Sequence, residues 1–96
     1  MSTEVPAGIV RRRALVTGRV QAVGFRASCA RRAVTAGVSG WVRNTDAGEV
    51  EAVFEGVPDA VDALVAWCHD GPPLARVSRV EVMDEPPRGD SGFTVR

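Results

Sequence analysis

The chain contains no lysine and no tyrosine, and it has a single histidine. All twelve of its basic side chains are arginine, so chemistry that needs a lysine, such as a Walker phosphate loop or a Schiff base, is excluded. Twelve acidic side chains balance them, and this zero net charge argues against a protein held to nucleic acid or anionic lipid by its overall field. No apolar run approaches the roughly 20 residues of a membrane span. We therefore expect a cytoplasmic protein without a nucleic-acid or membrane partner.

Several catalytic and metal-binding patterns are also missing. The chain has neither the glycine-rich dinucleotide motif nor the paired-histidine motif of zinc proteases. His69 falls at the end of a predicted helix, where the helix dipole explains a cation better than catalysis does. Cys29 and Cys68 fall inside predicted helices, and we interpret them as small buried side chains rather than as a disulfide or metal ligands. The sequence predicts no metal and no cofactor.

The 96 residues suffice for one hydrophobic core, because a chain of 10.2 kDa buries about 64% of its surface on folding. Hydrophobic periodicity and turn residues divide the chain into seven elements. They are a strand over 13–17 that ends at Gly18, a helix from Phe25 that stops at Gly37, strands over 38–44 and 49–55, a helix from Pro58 that stops at 71–73, a strand over 76–83 and a short strand over 93–95.

This order predicts an α+β protein with a ferredoxin-like sandwich, βαββαβ plus an additional short C-terminal strand, and two helices on one face of an antiparallel sheet. We expect a flexible N-terminal lead-in over residues 1–10 and a single domain over 11–96. Val77 is out of phase with Val80 and Val82, which indicates a bulge in the fourth strand. The adjacent Arg11, Arg12 and Arg13 are interpreted as the solvated beginning of the first strand.

In this topology the first two strands run the same way, with the third strand antiparallel between them. Their C-terminal ends therefore share one rim of the sheet, and the first helix begins there. A loop bounded by Gly18 and Gly24 that enters a helix N-terminus can turn several backbone N–H groups towards an anion. Arg26, in the first turn of that helix, would add a guanidinium suited to phosphate. The alternative is that Arg26 extends along the surface into solvent.

Asn44 ends the second strand at the same rim. Its amide can both donate and accept hydrogen bonds, so it could hold a water molecule near a bound phosphorus atom. The alternative is an asparagine favoured for its turn-forming habit. We place Trp41 on the same strand face, where it would wall the site or, more favourably, pack in the core. Arg43 is expected on the opposite face, in solvent.

Two segments of the sequence resemble the signature motifs of the acylphosphatase family. They are Gly18-Arg19-Val20-Gln21-Ala22-Val23-Gly24-Phe25-Arg26 and Gly40-Trp41-Val42-Arg43-Asn44, the second followed by Asp46-Ala47-Gly48-Glu49-Val50-Glu51. The similarity extends from about Arg13 to the closing Phe93-Thr94-Val95-Arg96. The resemblance implies metal-free hydrolysis of small acyl phosphates. It also implies that Arg26 binds phosphate and that Asn44 positions water.

The resemblance further implies a phosphate-binding loop that consists of Arg19, Val20, Gln21, Ala22, Val23, Gly24 and Phe25. Ala22 stands where the family usually has glycine, so a positive φ there would strain the loop. Ala27 replaces a residue that is often bulky, which widens the mouth of the expected site. We predict a monomeric acylphosphatase. The alternatives are a non-catalytic anion-binding module of the same fold and, less favoured, an RNA-binding sheet, for which the five aromatic side chains are too few.

Overall fold

The computed structural model describes residues 8–96, so residues 1–7 of the expected N-terminal lead-in lie outside the described residues. The elements in chain order are β1 (Val10–Arg19), α1 (Phe25–Ala36), β2 (Ser39–Asn44), β3 (Val50–Gly56), α2 (Pro58–Cys68), β4 (Arg76–Glu85) and β5 (Phe93–Val95). None of the helices in this part of the chain has the length and hydrophobicity to span a membrane.

The five strands form one sheet in the order β4-β1-β3-β2-β5. β3 lies between β1 and β2 and is antiparallel to both, which confirms the predicted arrangement of these three strands. The additional strand β5 pairs in parallel with β2 at the edge of the sheet, so the sheet as a whole is mixed. The ferredoxin-like α+β fold is confirmed, and the C-terminal ends of β1 and β2 meet at one rim.

Both helices cover the same face of the sheet. Alternate strand residues point to this face, and the core there is built largely from valine, alanine and phenylalanine side chains. Cys29 of α1 and Cys68 of α2 are fully buried free thiols in this core, as predicted. Burial raises the pKa of both thiols, that of Cys68 to about 12, so neither is a reactive thiolate at neutral pH.

β1 is longer than the sequence predicts. It begins at Val10 and continues through Gly18 to Arg19, where the prediction ended it at Gly18. The register with β4 shifts between Thr17 and Gly18, so that Gly18 pairs with Val77, which confirms the expected bulge. Glycine is required at position 18 for two reasons. Its φ of 133° is one that L side chains rarely adopt, and a Cβ there would lie 2.2 Å from the Arg76 carbonyl oxygen.

The structure corrects the prediction for Arg11, which lies on the opposite, open face of the sheet. This side chain is only 2% exposed rather than solvated. Its Nη1 donates to Glu55 at 3.0 Å and to Asp90 at 2.8 Å, and its Nε donates to Glu85 at 3.0 Å. Arg13 extends this network to Glu85 and Glu51. A permanently charged side chain is tolerated in this position because three carboxylates surround it.

Candidate active site

A pocket of about 260 Å³ opens at the rim where β1 and β2 end. Its lining combines the loop after β1, the first turn of α1, the end of β2 and one residue of β5. The lining residues are Val20, Ala22, Gly24, Phe25, Arg26, Ala27, Asn44 and Val95. The structure therefore brings together the two segments that the sequence analysis assigned to one place. Arg26 is the only charged residue in this lining, so the pocket favours an anion.

The loop owes its shape to two left-handed residues. Gly24, the N-cap of α1, has φ 81° and ψ 17°, and Ala22 has φ 62°. Ala22 is the only non-glycine residue with positive φ in the described range, and the left-handed region costs an L-residue roughly 1–2 kcal/mol. The expected strain at Ala22 is therefore present. Left-handed residues within such a turn rotate peptide N–H groups towards a common concavity.

The N–H groups along this stretch are available to a ligand. Within residues 8–96, the N–H groups of Gln21 to Ala27 donate no hydrogen bond to backbone or side chain, and the first helical bond runs from the Ser28 N–H to the Gly24 carbonyl. No side chain in this same range caps α1 with a hydrogen bond, and the first turn of the helix carries no acidic residue. Free N–H groups and the positive end of the helix dipole together favour a bound anion such as phosphate.

Arg26 adds the cation at this helix start. Its Nη1 donates to the backbone oxygen of Arg96 at 2.9 Å, and no Asp or Glu pairs with it among the residues that the structure describes. A guanidinium carries five N–H donors. One contact of this kind therefore orients the group and leaves most of its donors for a phosphate.

The side chain of Gln21 joins the loop to the β2–β3 turn. Its Nε2 donates to the Thr45 carbonyl at 2.8 Å and to the Glu49 carbonyl at 2.9 Å. The turn is closed by its own bond from the Thr45 N–H to the Glu49 carbonyl at 2.9 Å. Asn44 immediately precedes this turn, so Gln21 joins the loop to the end of β2 that carries Asn44. Sequence reasoning included Gln21 only as a loop residue and missed this role of its side chain.

The structure also corrects the predicted position of Trp41, which the sequence analysis placed on the same strand face as Asn44. It lies three residues before Asn44, and because strand residues alternate, the two side chains point to opposite faces of the sheet. Trp41 lies half-buried on the open face and belongs neither to the pocket nor to the core. Arg43 lies on the open face as expected and pairs with Glu51. The sequence analysis also did not anticipate that Val95 lines the pocket.

The fold and this pocket define a ferredoxin-like α+β protein with an anion site at the rim of its sheet. The family model for acylphosphatase matches residues 12–95, and the chain belongs to the acylphosphatase family. It is 58% identical over 86 residues to an acylphosphatase of Thermococcus kodakarensis, with 90% of this chain and 94% of that protein covered. It is 61% identical over 87 residues to an acylphosphatase of Rubrobacter xylanophilus, with 90% and 79% covered.

Comparison with solved structures gives the same result. A solved acylphosphatase structure from Coxiella burnetii superposes with a TM-score of 0.91 at 35% sequence identity, and the match covers 99% of this chain and 100% of that one. The resemblance stated from the two sequence motifs is thereby confirmed. Family and fold are settled along nearly the entire chain.

Proposed function

We propose that the rim pocket hydrolyses the carboxyl–phosphate bond of small acyl phosphates, with Arg26 binding phosphate and Asn44 positioning water. The observation that carries the proposal is the series of N–H groups from Gln21 to Ala27, which have no hydrogen-bond partner among residues 8–96, beside the Arg26 guanidinium. Membership of the acylphosphatase family supports this activity over a non-catalytic anion-binding module. The products are a carboxylate and inorganic phosphate.

The loop and Arg26 have the chemistry to hold the phosphoryl group. N–H donors from the loop after β1, residues 20–25, approach its oxygens, and the guanidinium neutralises charge that develops on them in the transition state. Arg19 of the expected loop is instead the last residue of β1, where it pairs with Arg76. These groups are fixed before substrate arrives, because Gln21 anchors the loop and Gly24 fixes the helix start. Pre-oriented dipoles need little reorganisation during the reaction, and they lower the activation barrier for this reason.

Asn44 has the chemistry to orient the attacking water. Its amide oxygen accepts a hydrogen bond from the water while the water lone pair points at phosphorus, in line with the leaving carboxylate. The bond between water oxygen and phosphorus forms, the bond from phosphorus to the acyl oxygen breaks, and the water proton passes to a phosphate oxygen. A carboxylate is a good leaving group and needs no protonation, so the pocket requires neither histidine nor cysteine for this step.

Hydrolysis of benzoyl phosphate, followed by its ultraviolet absorbance, tests the proposal. We expect turnover that is unchanged when a chelator such as EDTA is added. A protein that binds inorganic phosphate but does not turn over benzoyl phosphate, with or without divalent metal, is the anion-binding module instead.

We also propose that the protein acts as a monomer and does not bind nucleic acid. The zero net charge and the arginine–carboxylate pairs on the open face of the sheet support the absence of nucleic-acid binding, because RNA-binding sheets display bare aromatic rings on that face. Sedimentation and a gel shift at low salt test the two statements. The cytoplasmic location stays a prediction.

A further inference from the structure

The proposed mechanism gives no role to Trp41, the large aromatic residue of the second signature segment. Trp41 lies on the open face of the sheet, away from the pocket. Its ring has the Arg96 guanidinium 4.3 Å from the ring centroid and the Arg13 guanidinium at 5.8 Å. A guanidinium at these distances from an indole face is attracted by the ring electrons. Trp41 therefore holds the side chain of Arg96.

The backbone of Arg96 contacts the other side of the same region. Its N–H donates to the Val42 carbonyl at 2.8 Å, and its backbone oxygen accepts the 2.9 Å hydrogen bond from Arg26 Nη1. Arg96 thus contacts Trp41 with its side chain and the phosphate-binding arginine with its backbone. β5, which precedes it, has only three residues and lies at the sheet edge, so it holds the backbone of Arg96 weakly by itself.

We propose that Trp41 is a positioning residue for Arg26 and acts through Arg96. The indole face fixes Arg96, and the backbone oxygen of Arg96 then fixes one edge of the Arg26 guanidinium. The other donors of the guanidinium point at phosphate from a restricted set of rotamers, which lowers the entropy lost on binding. This inference rests on the proposed role of Arg26 in phosphate binding.

The chain offers a matched control for the Arg96 contact. Arg32 lies 5.1 Å from the centroid of the Trp67 ring and makes no hydrogen bond to the pocket arginine. The variants Arg96→Met and Arg32→Met each remove one cation from one indole face. The inhibition constant of inorganic phosphate and kcat/KM for benzoyl phosphate are measured for both. An exposed cation–π contact corresponds to a roughly twofold to fivefold change in an equilibrium constant.

For Arg96→Met we expect the phosphate inhibition constant to rise about fivefold and kcat/KM to fall by a similar factor. This is the upper end of the range expected for loss of an exposed cation–π contact. Arg32→Met should stay within twofold of the parent, and Arg96→Lys, which keeps a cation over the ring, should recover most of the loss. Trp41→Leu should reproduce the effect of Arg96→Met, and Trp41→Phe, with a smaller ring, a weaker one. Equal effects of the Arg96 and Arg32 variants would overturn the proposal.

A double variant separates positioning from general stability. In an Arg26→Ala background the contact has nothing to position, so adding Trp41→Leu should cost no further kcat/KM. A further loss as large as in the parent would show that Trp41 acts on the fold alone, and the proposal would be wrong. If Arg26→Ala by itself loses no activity, the role of Arg26 has failed, and this inference fails with it for that separate reason.

Discussion

The open face of the sheet and the pocket at its rim treat their arginines in opposite ways. Arg11 on the open face is surrounded by three carboxylates, whereas Arg26 at the rim has no Asp or Glu partner within residues 8–96. The backbone differs in the same way. The N–H groups of Arg88 and Gly89 are bonded to Glu55, but those of Gln21 to Ala27 have no partner in the described chain.

The difference shows which charges serve the fold and which serve the reaction. A buried charge without a partner destabilises a protein, and in the network around Arg11 every charged side chain has at least one ion-pair partner. At the rim no Asp or Glu of residues 8–96 pairs with the same kind of group, and Ala22 holds a strained conformation besides. We therefore expect stability to depend on the open face around Arg11 and activity to depend on the rim pocket around Arg26. A rim variant that lost stability but kept activity, or an open-face variant that lost activity but kept stability, would contradict this comparison.

The largest expected effect follows from removing the cation at the rim. Arg26→Ala should lower kcat/KM for benzoyl phosphate about 10³-fold or more, as loss of an arginine that stabilises phosphoryl transfer does. Its stability should change little, because its only hydrogen bond among residues 8–96 is the one to the Arg96 oxygen. Arg31→Ala, one turn and a half further along α1 and exposed, is the control and should retain activity. Undiminished turnover in Arg26→Ala would remove Arg26 from the mechanism.

A slightly smaller loss is expected at the opposite wall of the pocket. Asn44→Ala should lower kcat about 10²–10³-fold, as for the loss of one positioning group, with less effect on the inhibition constant of phosphate. The reason is that Asn44 contacts the water rather than the phosphoryl group. Arg43→Gln, one residue earlier and on the other sheet face, serves as the control. A kcat for Asn44→Ala equal to that of Arg43→Gln would rule out this role of Asn44.

Local sequence patterns were enough to predict the architecture and the meeting of the two segments. The seven elements follow from apolar period and turn residues, and the common rim follows from the direction of the strands. The strain at Ala22 could be anticipated because the family usually has glycine there. The sequence also contained the information that Trp41 and Asn44 lie on opposite faces of the sheet, since side chains three residues apart on a strand point to opposite faces. The prediction that placed Trp41 on the face of Asn44 was therefore wrong and avoidable.

Contacts between distant side chains could not be read in this way. The burial of Arg11 depends on Glu55, Glu85 and Asp90, which lie 44 to 79 residues later in the chain. A run of three arginines has no local property that separates this network from a solvated surface. The bonds of Gln21 to the next turn, and the contact of Arg96 with Arg26, likewise appear only after the chain has folded.

The next effect is on stability rather than on activity. Arg11→Met should reduce the free energy of unfolding by about 3 kcal/mol, at the lower end for a buried ion pair that loses one partner, because backbone N–H groups still bond to Glu55. Arg79→Met, which breaks the exposed pair with Glu81, should cost at most about 1 kcal/mol. Urea unfolding measures both. A similar cost for the two variants would contradict the importance of burial here.

The same network makes stability depend on acid pH. Hydrogen bonds from Arg13 and Arg11 hold the pKa of Glu85 below its ordinary value of 4.5, and a hydrogen bond from Arg11 lowers the pKa of Asp90 below 3.8. Burial would raise the pKa of Glu55, but bonds from the Arg88 N–H and from Arg11 bring it below 4.5.

Because these carboxyl groups have a lower pKa in the folded state than in the unfolded state, the unfolded chain binds more protons in acid. Their contribution is complete above the unfolded pKa values and is lost as the pH falls through the folded ones. We expect the contribution of Glu55, Glu85 and Asp90 to the urea unfolding midpoint to be constant above about pH 6 and to decrease below about pH 4.5. Arg11→Met should flatten this decrease, and an equally steep decrease in that variant would contradict the assignment.

The smallest effect tests the strain at the rim. Ala22→Gly relieves a left-handed alanine that costs roughly 1–2 kcal/mol, but the extra freedom of glycine in the unfolded chain offsets about 0.4–1 kcal/mol, so the net gain should be about 1.5 kcal/mol or less. Ala27→Gly is the matched control, since it is an exposed alanine in the first turn of α1, where glycine costs about 1 kcal/mol. The two substitutions are chemically identical and lie five residues apart, yet thermal unfolding should shift upward for the first and downward for the second. A downward shift for both would mean that the loop at Ala22 is relaxed, and the contrast between a strained rim and a satisfied open face would then rest on charge alone.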